Sequence, residues 1–244
     1  MRATANRRTA YPKVTADFPY LDEYSSYKFP PANKATEHGV VGIGGNLSPG
    51  MLLSAYGQGV FPWYSEGEPL LWWNPDPRFV LFPEKLHVSK SLEKLLKKER
   101  FTYTFDLRFK EIIEYCSSVE RPGQHGTWIT PEMIDAYEEL HRLGFAHSLE
   151  VWNGRNLTGG LYGVSLGRVF CGESMFSLES GASKAAFVQL VGKLSNIGFS
   201  LIDCQVRTDH LAAMGAEEIP RTQYLSLLNK ALEYQTIRGS WSAL

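Results

Sequence analysis

The chain has 244 residues, 43% hydrophobic and 21% charged, enough to bury a good core as one domain or two unequal lobes. A formal net charge of −1 excludes a global field for nucleic acid, so any such partner must meet a local basic patch. Three cysteines without CxxC spacing argue against a disulfide framework and fit a reducing cytoplasm, and no apolar run approaches the roughly 20 residues of a membrane helix.

The start, MRATANRRTA, is basic and lacks the apolar centre of a secretory signal. Residues 1–38, rich in Tyr, Phe and Pro, read as an extended arm lying on the body. The run GVVGIGGNLSPG has neither the GxGxxG nor the GxxxxGK[ST] order, so it predicts a tight turn feeding a helix rather than a phosphate loop. Ser48 suits the N-cap and Pro49 the first helical position; Met51, Leu52, Ala55 and Tyr56 keep helical spacing until Gly57 and Gly59. FPWYSEGEPLLWWNPDPRFVLFP is too proline-rich for helix and predicts an ordered, aromatic-lined loop region. Residues 39–85 are thus read as a small N-terminal lobe.

Helices are expected near 89–99 and 107–117, and another from Thr130, with Pro131 just inside it, to Gly144. AHSLEVW, LTGGLYGVSLG and RVFCGESMF read as strands, the first two joined by an Asn153-Gly154 turn. An amphipathic helix over 183–198, a strand in SLIDCQV, a short TDHLAAMG helix and a helix near 220–233 complete the pattern. The order β-β-β-α-β-α predicts an antiparallel meander, a crossover helix and a parallel strand. The fold class is therefore mixed α/β, with residues 86–244 resembling the core of GNAT acyltransferases. Fold order by itself assigns no function.

Asp203 and Gln205 sit two residues apart on the apolar strand LIDCQV, so regular alternation sends both side chains out by one face. Burying a carboxylate and an amide there is costly without partners; the ordinary alternative to a functional pair is satisfaction by backbone amides. Cys204 points the other way, into the core. Glu173 is the second polar residue of another apolar strand, where a structural salt bridge is the plain alternative. Lys90, Lys94, Lys97 and Lys98 follow i, i+4, i+7, i+8 and share one helix face, with Leu92, Leu95 and Leu96 opposite. Such a run is ordinarily a solvated face. The six histidines form no ligand cluster, so no metal is expected, and nothing has Ser-His-Asp or cofactor-loop spacing.

Four blocks carry a more specific likeness: GIGGNLSPGMLLSAYGQGVFPWY; LLWWNPDPRFVLFPEKLH; HSLEVWNGRNLTGGLYGVSLGRVFCGESMFS with ASK after it; and LIDCQV followed by HLAAMGAEEIPR. Together, from about Gly39 to Tyr224, they resemble the leucyl/phenylalanyl-tRNA–protein transferases. Asn46 stands where that family commonly has Asp, Asn74 where it has Ser, and the N-terminal arm is longer; none of these falls in a catalytic block. The resemblance implies transfer of leucine, phenylalanine and methionine from aminoacyl-tRNA to an N-terminal Arg or Lys of acceptor proteins, creating an N-end rule degradation signal. It implies no cofactor, Leu-tRNA and Phe-tRNA as partners, no membrane and a cytoplasmic location; a monomer is favoured, though the sequence does not give the oligomeric state. By the same likeness Asp203 polarises Gln205, whose carbonyl draws on the attacking amine, or else Asp203 is itself the base. Glu173 then meets the acceptor N-terminus; Trp63, Trp128, Phe170 and Met175 line the amino-acid pocket; and the lysine face meets tRNA phosphates.

This chemistry makes modest demands. Aminoacyl-tRNA is an activated ester, and an α-amine with pKa of about 7.7–8.0 is partly neutral at physiological pH. Positioning alone delivers effective molarities of about 10⁵–10⁸ M. An acyl-CoA-dependent N-acetyltransferase is the competing reading, but SLESGASKAA before the crossover helix lacks the [RQ]xxGx[GA] pyrophosphate loop. A non-catalytic aminoacyl-tRNA-binding module would have no use for a paired Asp and Gln.

Overall fold

The computed structural model describes residues 18–65, 67–119 and 127–243. β1 (Val40–Ile43), α1 (Pro49–Gly57), β2 (Phe61–Pro62) and β3 (Leu71–Trp73) come first, with β3 central and antiparallel to both its neighbours. Residues 18–29 run along α1 as a largely extended segment whose main chain is held by the side chains of Ser48, Ser54 and Gln58, in and at the ends of α1. Tyr27 N–H donates to Ser54 Oγ at 2.8 Å and Phe29 N–H to Gln58 Oε1 at 3.0 Å. Ser48, the expected cap, makes no cap bond to its own helix; its Oγ accepts the Leu21 N–H at 3.1 Å. A Cβ on Gly50 would lie 2.3 Å from the Asp22 carbonyl oxygen, so only glycine lets the segment approach this closely. The expected arm over residues 1–17 lies outside the described residues.

β4 (Arg78–Leu81) leaves the small sheet and enters a larger one, although the sequence reading put it in the small lobe. The chain continues through α2 (Lys90–Leu96), β5 (Thr102–Phe105), α3 (Phe109–Ser118), α4 (Pro131–Arg142), β6 (Ala146–Asn153), β7 (Asn156–Leu166) and β8 (Val169–Ser177). It ends with α5 (Ala182–Asn196), β9 (Leu201–Gln205), α6 (Asp209–Ala212), β10 (Glu217–Ile219) and α7 (Arg221–Leu232). The seven-stranded sheet runs β10-β4-β9-β8-β7-β6-β5. Only β8 and β9 pair in parallel, joined by crossover helix α5, so the predicted meander, crossover and parallel strand are all present. The hairpin loop is Gly154-Arg155, one residue later than expected, because Asn153 pairs with Asn156. α2 ends at Leu96 rather than near 99, and Lys97–Glu99 form a turn closed by Lys98 N–H to Leu95 O. β1 to β5 and β10 are two to four residues long, too short to show a period of two.

Alternation along β7 feeds two cores. Tyr162 and Val164 face Ile112, Tyr137 and Leu228 of α3, α4 and α7, while Leu161 faces Phe187 and Leu190 of α5.

Candidate active site

The parallel pairing of β8 with β9 covers only Val169–Cys171 against Leu201–Asp203. Beyond it the two strands part, and a cavity of about 710 Å³ opens between Gly172–Met175 on one side and Cys204–Val206 on the other. Phe170, Ile202, Phe187 and Leu190 line its apolar depth, and Trp63, Trp73 and Trp128 form an aromatic wall. Trp63 is 39% exposed, its ring 5.5 Å from that of Trp73, whereas Phe170 is 1% exposed. The cavity thus brings together Trp63, Trp128, Phe170, Glu173, Met175 and Gln205. Asp203 lies behind it at zero exposure. Cys204 is buried but also touches the cavity, and burial pushes its thiol well above the usual range.

Gln205 is the last residue of β9, opposite Phe79 across an irregular register, but its backbone is not that of a regular strand. Its φ is 63°, and Val206 N–H donates to Cys204 O at 2.8 Å, which is a γ-turn of the rarer, strained hand. Asp203 and Gln205 nevertheless both reach groups bonded to tyrosines of one core: Asp203 meets Tyr224, and Gln205 meets Glu173, itself bonded to Tyr56 and Tyr137. The two are linked through the main chain, Gln205 N–H donating to Asp203 Oδ1 at 2.9 Å. The Gln205 side chain turns to Glu173 instead, Nε2 donating to Oε1 at 2.8 Å.

Arg78 grips Asp203 with both arms of its fork, Nε to Oδ1 at 2.7 Å and Nη2 to Oδ2 at 2.5 Å; Tyr224 OH adds a bond to Oδ2 at 2.8 Å. The Arg78 and Asp203 side chains are both at 0% exposure. Burial works against the guanidinium charge, but Asp203 beside it holds Arg78 above its ordinary range.

Glu173 accepts from Tyr56 OH at 2.7 Å on Oε1 and from Tyr137 OH at 3.2 Å on Oε2, and the two hydroxyls also bond each other. These three contacts share only two hydroxyl protons, and a proton on Glu173 would supply the third. Burial pushes the Glu173 carboxyl up to about 7, against the bonds from Tyr56, Tyr137 and Gln205, which favour its charged form. Burial first, then the nearby Glu173 charge, holds both tyrosines well above their usual range, so they stay protonated.

Sequence reasoning missed Arg78, Tyr56, Tyr137 and Tyr224. Arg78 left one signal, a charged residue opening the apolar run FVLF. The tyrosines sit among helical core residues and left none. On α2, Lys90 and Lys94, with Lys97 and Lys98 just beyond, are exposed, Leu92 is buried, and Leu95 and Leu96 are half-buried, as the spacing predicts. No group of three or more His, Cys, Asp or Glu among the described residues is placed to hold a metal, and no described helix is long and apolar enough to cross a membrane.

Residues 80–229 match the family described as leucyl/phenylalanyl-tRNA protein transferase, and residues 45–76 match that family's N-terminal domain. The proteins called leucyl/phenylalanyl-tRNA–protein transferase from Syntrophus aciditrophicus (strain SB) and Myxococcus xanthus (strain DK1622) are 56% and 55% identical over 214 residues. The alignments cover 88% of this chain in each case, and 90% and 92% of those proteins. Solved structures match more loosely: an aminoglycoside acetyltransferase from an uncultured soil metagenomic sample has a TM-score of 0.37 and 11% identity, over 47% of this chain and 84% of that one.

Proposed function

This chain belongs to the leucyl/phenylalanyl-tRNA–protein transferase family, and from that premise we propose which of its residues carry the reaction and which acceptors it takes. It is an aminoacyltransferase, moving leucine and phenylalanine from aminoacyl-tRNA to protein. The acceptor is the α-amine of an N-terminal Arg or Lys, methionine is a third transferred residue, and the product carries an N-end rule degradation signal. The enzyme acts in the cytoplasm, where charged tRNA is found.

The observation that carries this reading is the Glu173–Gln205 pair at the point where an apolar cavity meets two parting strands. With Nε2 committed to Glu173, Oε1 is the end of the Gln205 amide able to accept from an attacking amine. Ionised Glu173 pulls on Nε2 and makes that oxygen a stronger acceptor. The amine nitrogen forms a C–N bond to the ester carbonyl carbon and gives up a proton. The C–O bond breaks, and the terminal ribose hydroxyl leaves with a proton. Trp63, Trp128, Phe170 and Met175 hold the aminoacyl end, and the exposed lysines of α2 meet phosphates of the acceptor stem. Among the described residues, Glu173 and Glu68 are the carboxylates lining the cavity, which suits a cationic acceptor.

The test is transfer of radiolabelled leucine from charged tRNA to peptides that begin with Arg, Lys or Ala, with acetyl-CoA supplied in parallel. Labelling of the Arg and Lys peptides alone is expected. Equal labelling of the Ala peptide would sink the acceptor assignment, and acetylation without leucine transfer would sink the assigned chemistry.

A further inference from the structure

Arg78 has no substrate to meet. Its Nε and Nη2 end on Asp203, Nη1 ends on Gly59 O at 3.0 Å, and its guanidinium lies between the rings of Phe61 and Tyr224, 4.9 and 4.4 Å from their centres. A buried ion pair of this kind is weak evidence for stability, because apolar residues of similar volume often serve a core as well or better. The same pair ends on an unusual piece of backbone. Asp203 Oδ1 accepts from both Arg78 Nε and the Gln205 N–H. Among the described residues only Glu99, Asp106 and Gln205 have positive φ without being glycine, and of these Gln205 alone lines the cavity.

We propose that Arg78 is a positioning residue for aminoacyl transfer: through the carboxylate of Asp203 it holds the γ-turn at Gln205, and so aims the Gln205 amide at Glu173 and the acceptor amine. This rests on the reading of Gln205 and Glu173 as the transfer site. Arginine suits the task and lysine does not, since only a planar fork fixes both carboxylate oxygens at once. Oδ1 holds Arg78 Nε and the Gln205 N–H, and Oδ2 holds Arg78 Nη2 and the Tyr224 hydroxyl. Asp203 is thereby a strut for the turn, and its charge is answered by Arg78 rather than spent on the substrate amine.

A neutral exchange of the pair separates strut from base. Asp203→Asn alone leaves the Arg78 charge unanswered, and kcat should fall by about 10²-fold with the KM for charged tRNA unchanged. The double variant Arg78→Gln/Asp203→Asn buries no charge, and its amide oxygen can again accept the Gln205 N–H. It should recover kcat by about tenfold or more over Asp203→Asn, a coupling that a base at position 203 would not show. A double variant no more active than Asp203→Asn would overturn the proposal. Arg78→Lys keeps the charge, and with it the fold, but loses the fork; kcat should drop by about tenfold at constant KM for charged tRNA. A wild-type kcat for Arg78→Lys would also overturn it. Circular dichroism checks folding, and where Asp203→Asn fails to fold, Arg78→Lys alone decides. Gln205→Ala is the separate control: full activity there would refute the site reading itself, whatever the Arg78 variants do.

Discussion

Glu173 and Gln205 meet side chain to side chain at 2.8 Å, while Asp203 reaches Gln205 only through its main-chain N–H. The two carboxylates therefore do different jobs. Asp203 is fully buried against a guanidinium and shapes the backbone. Glu173 touches the Gln205 amide that lines the cavity, and its environment brings its proton equilibrium into the physiological range.

That equilibrium should be visible in the rate. Glu173 titrates near about 7, and its charged form is the one that polarises Gln205. The acceptor amine, with pKa of about 7.7–8.0, must also be neutral to attack. We expect kcat/KM for the peptide acceptor to rise with pH from about 6 to 8 under the control of both groups. Glu173→Gln should lower activity and leave a profile governed by the amine alone. A Glu173→Gln profile that kept both ionisations would assign the lower one elsewhere.

Stability should move the opposite way. The folded-state pKa of Glu173 is raised from an ordinary 4.5 to about 7, so between those values the folded protein holds more proton than the unfolded chain. This group's contribution to stability is therefore present below about 4.5 and is lost as pH rises through about 7. Glu173→Gln escapes that loss. Relative to wild type it should gain about 1–3 kcal/mol at pH 8 compared with the difference at pH 4.5. Urea denaturation at the two pH values measures this, and a mutational difference independent of pH would contradict it.

The lysines on and just beyond α2 make a separate claim about tRNA. Reversal of Lys94, Lys97 and Lys98 to Glu should raise the KM for charged tRNA and flatten its dependence on salt. Each lost phosphate contact removes about 0.7–0.9 from the log–log slope. A minimal aminoacyl-adenosine donor lacks the acceptor stem and should be used as before. An equal loss with both donors would refute a stem contact.

Selectivity among amino acids follows from the apolar wall. One methylene more or less changes binding in such a pocket by about 1–3 kcal/mol, so leucine, phenylalanine and methionine should all be transferred. Isoleucine and valine, branched at Cβ, should be transferred poorly. Competition among charged tRNAs in one reaction measures the ratios, and valine used as well as leucine would disprove a narrow pocket. Phe170→Ala removes a ring that is 1% exposed and should also cost about 3–5 kcal/mol of stability.

Much of this architecture was written locally in the chain. Thr130 and Pro131 start α4, Gly144 stops it with φ of 79°, and alternation marks the long strands, because caps, turns and periodicity depend on near neighbours. Trp63, Trp128, Phe170, Glu173, Met175 and Gln205 were also legible, as odd residues inside recognisable blocks, and the fold gathers them around one cavity. The connections among the polar residues were not legible. Arg78 meets Asp203 across 125 positions, and Tyr56 meets Glu173 across 117 and Tyr137 across 81. Such pairings depend on sheet register and helix packing, which no local pattern encodes. Nor did any local pattern announce the γ-turn at Gln205. The sequence by itself determined which chemical groups were available and in what order of elements. Only the tertiary structure decided which carboxylate holds the backbone and which one faces the amide, because that choice is made by hydrogen bonds between segments far apart in the chain.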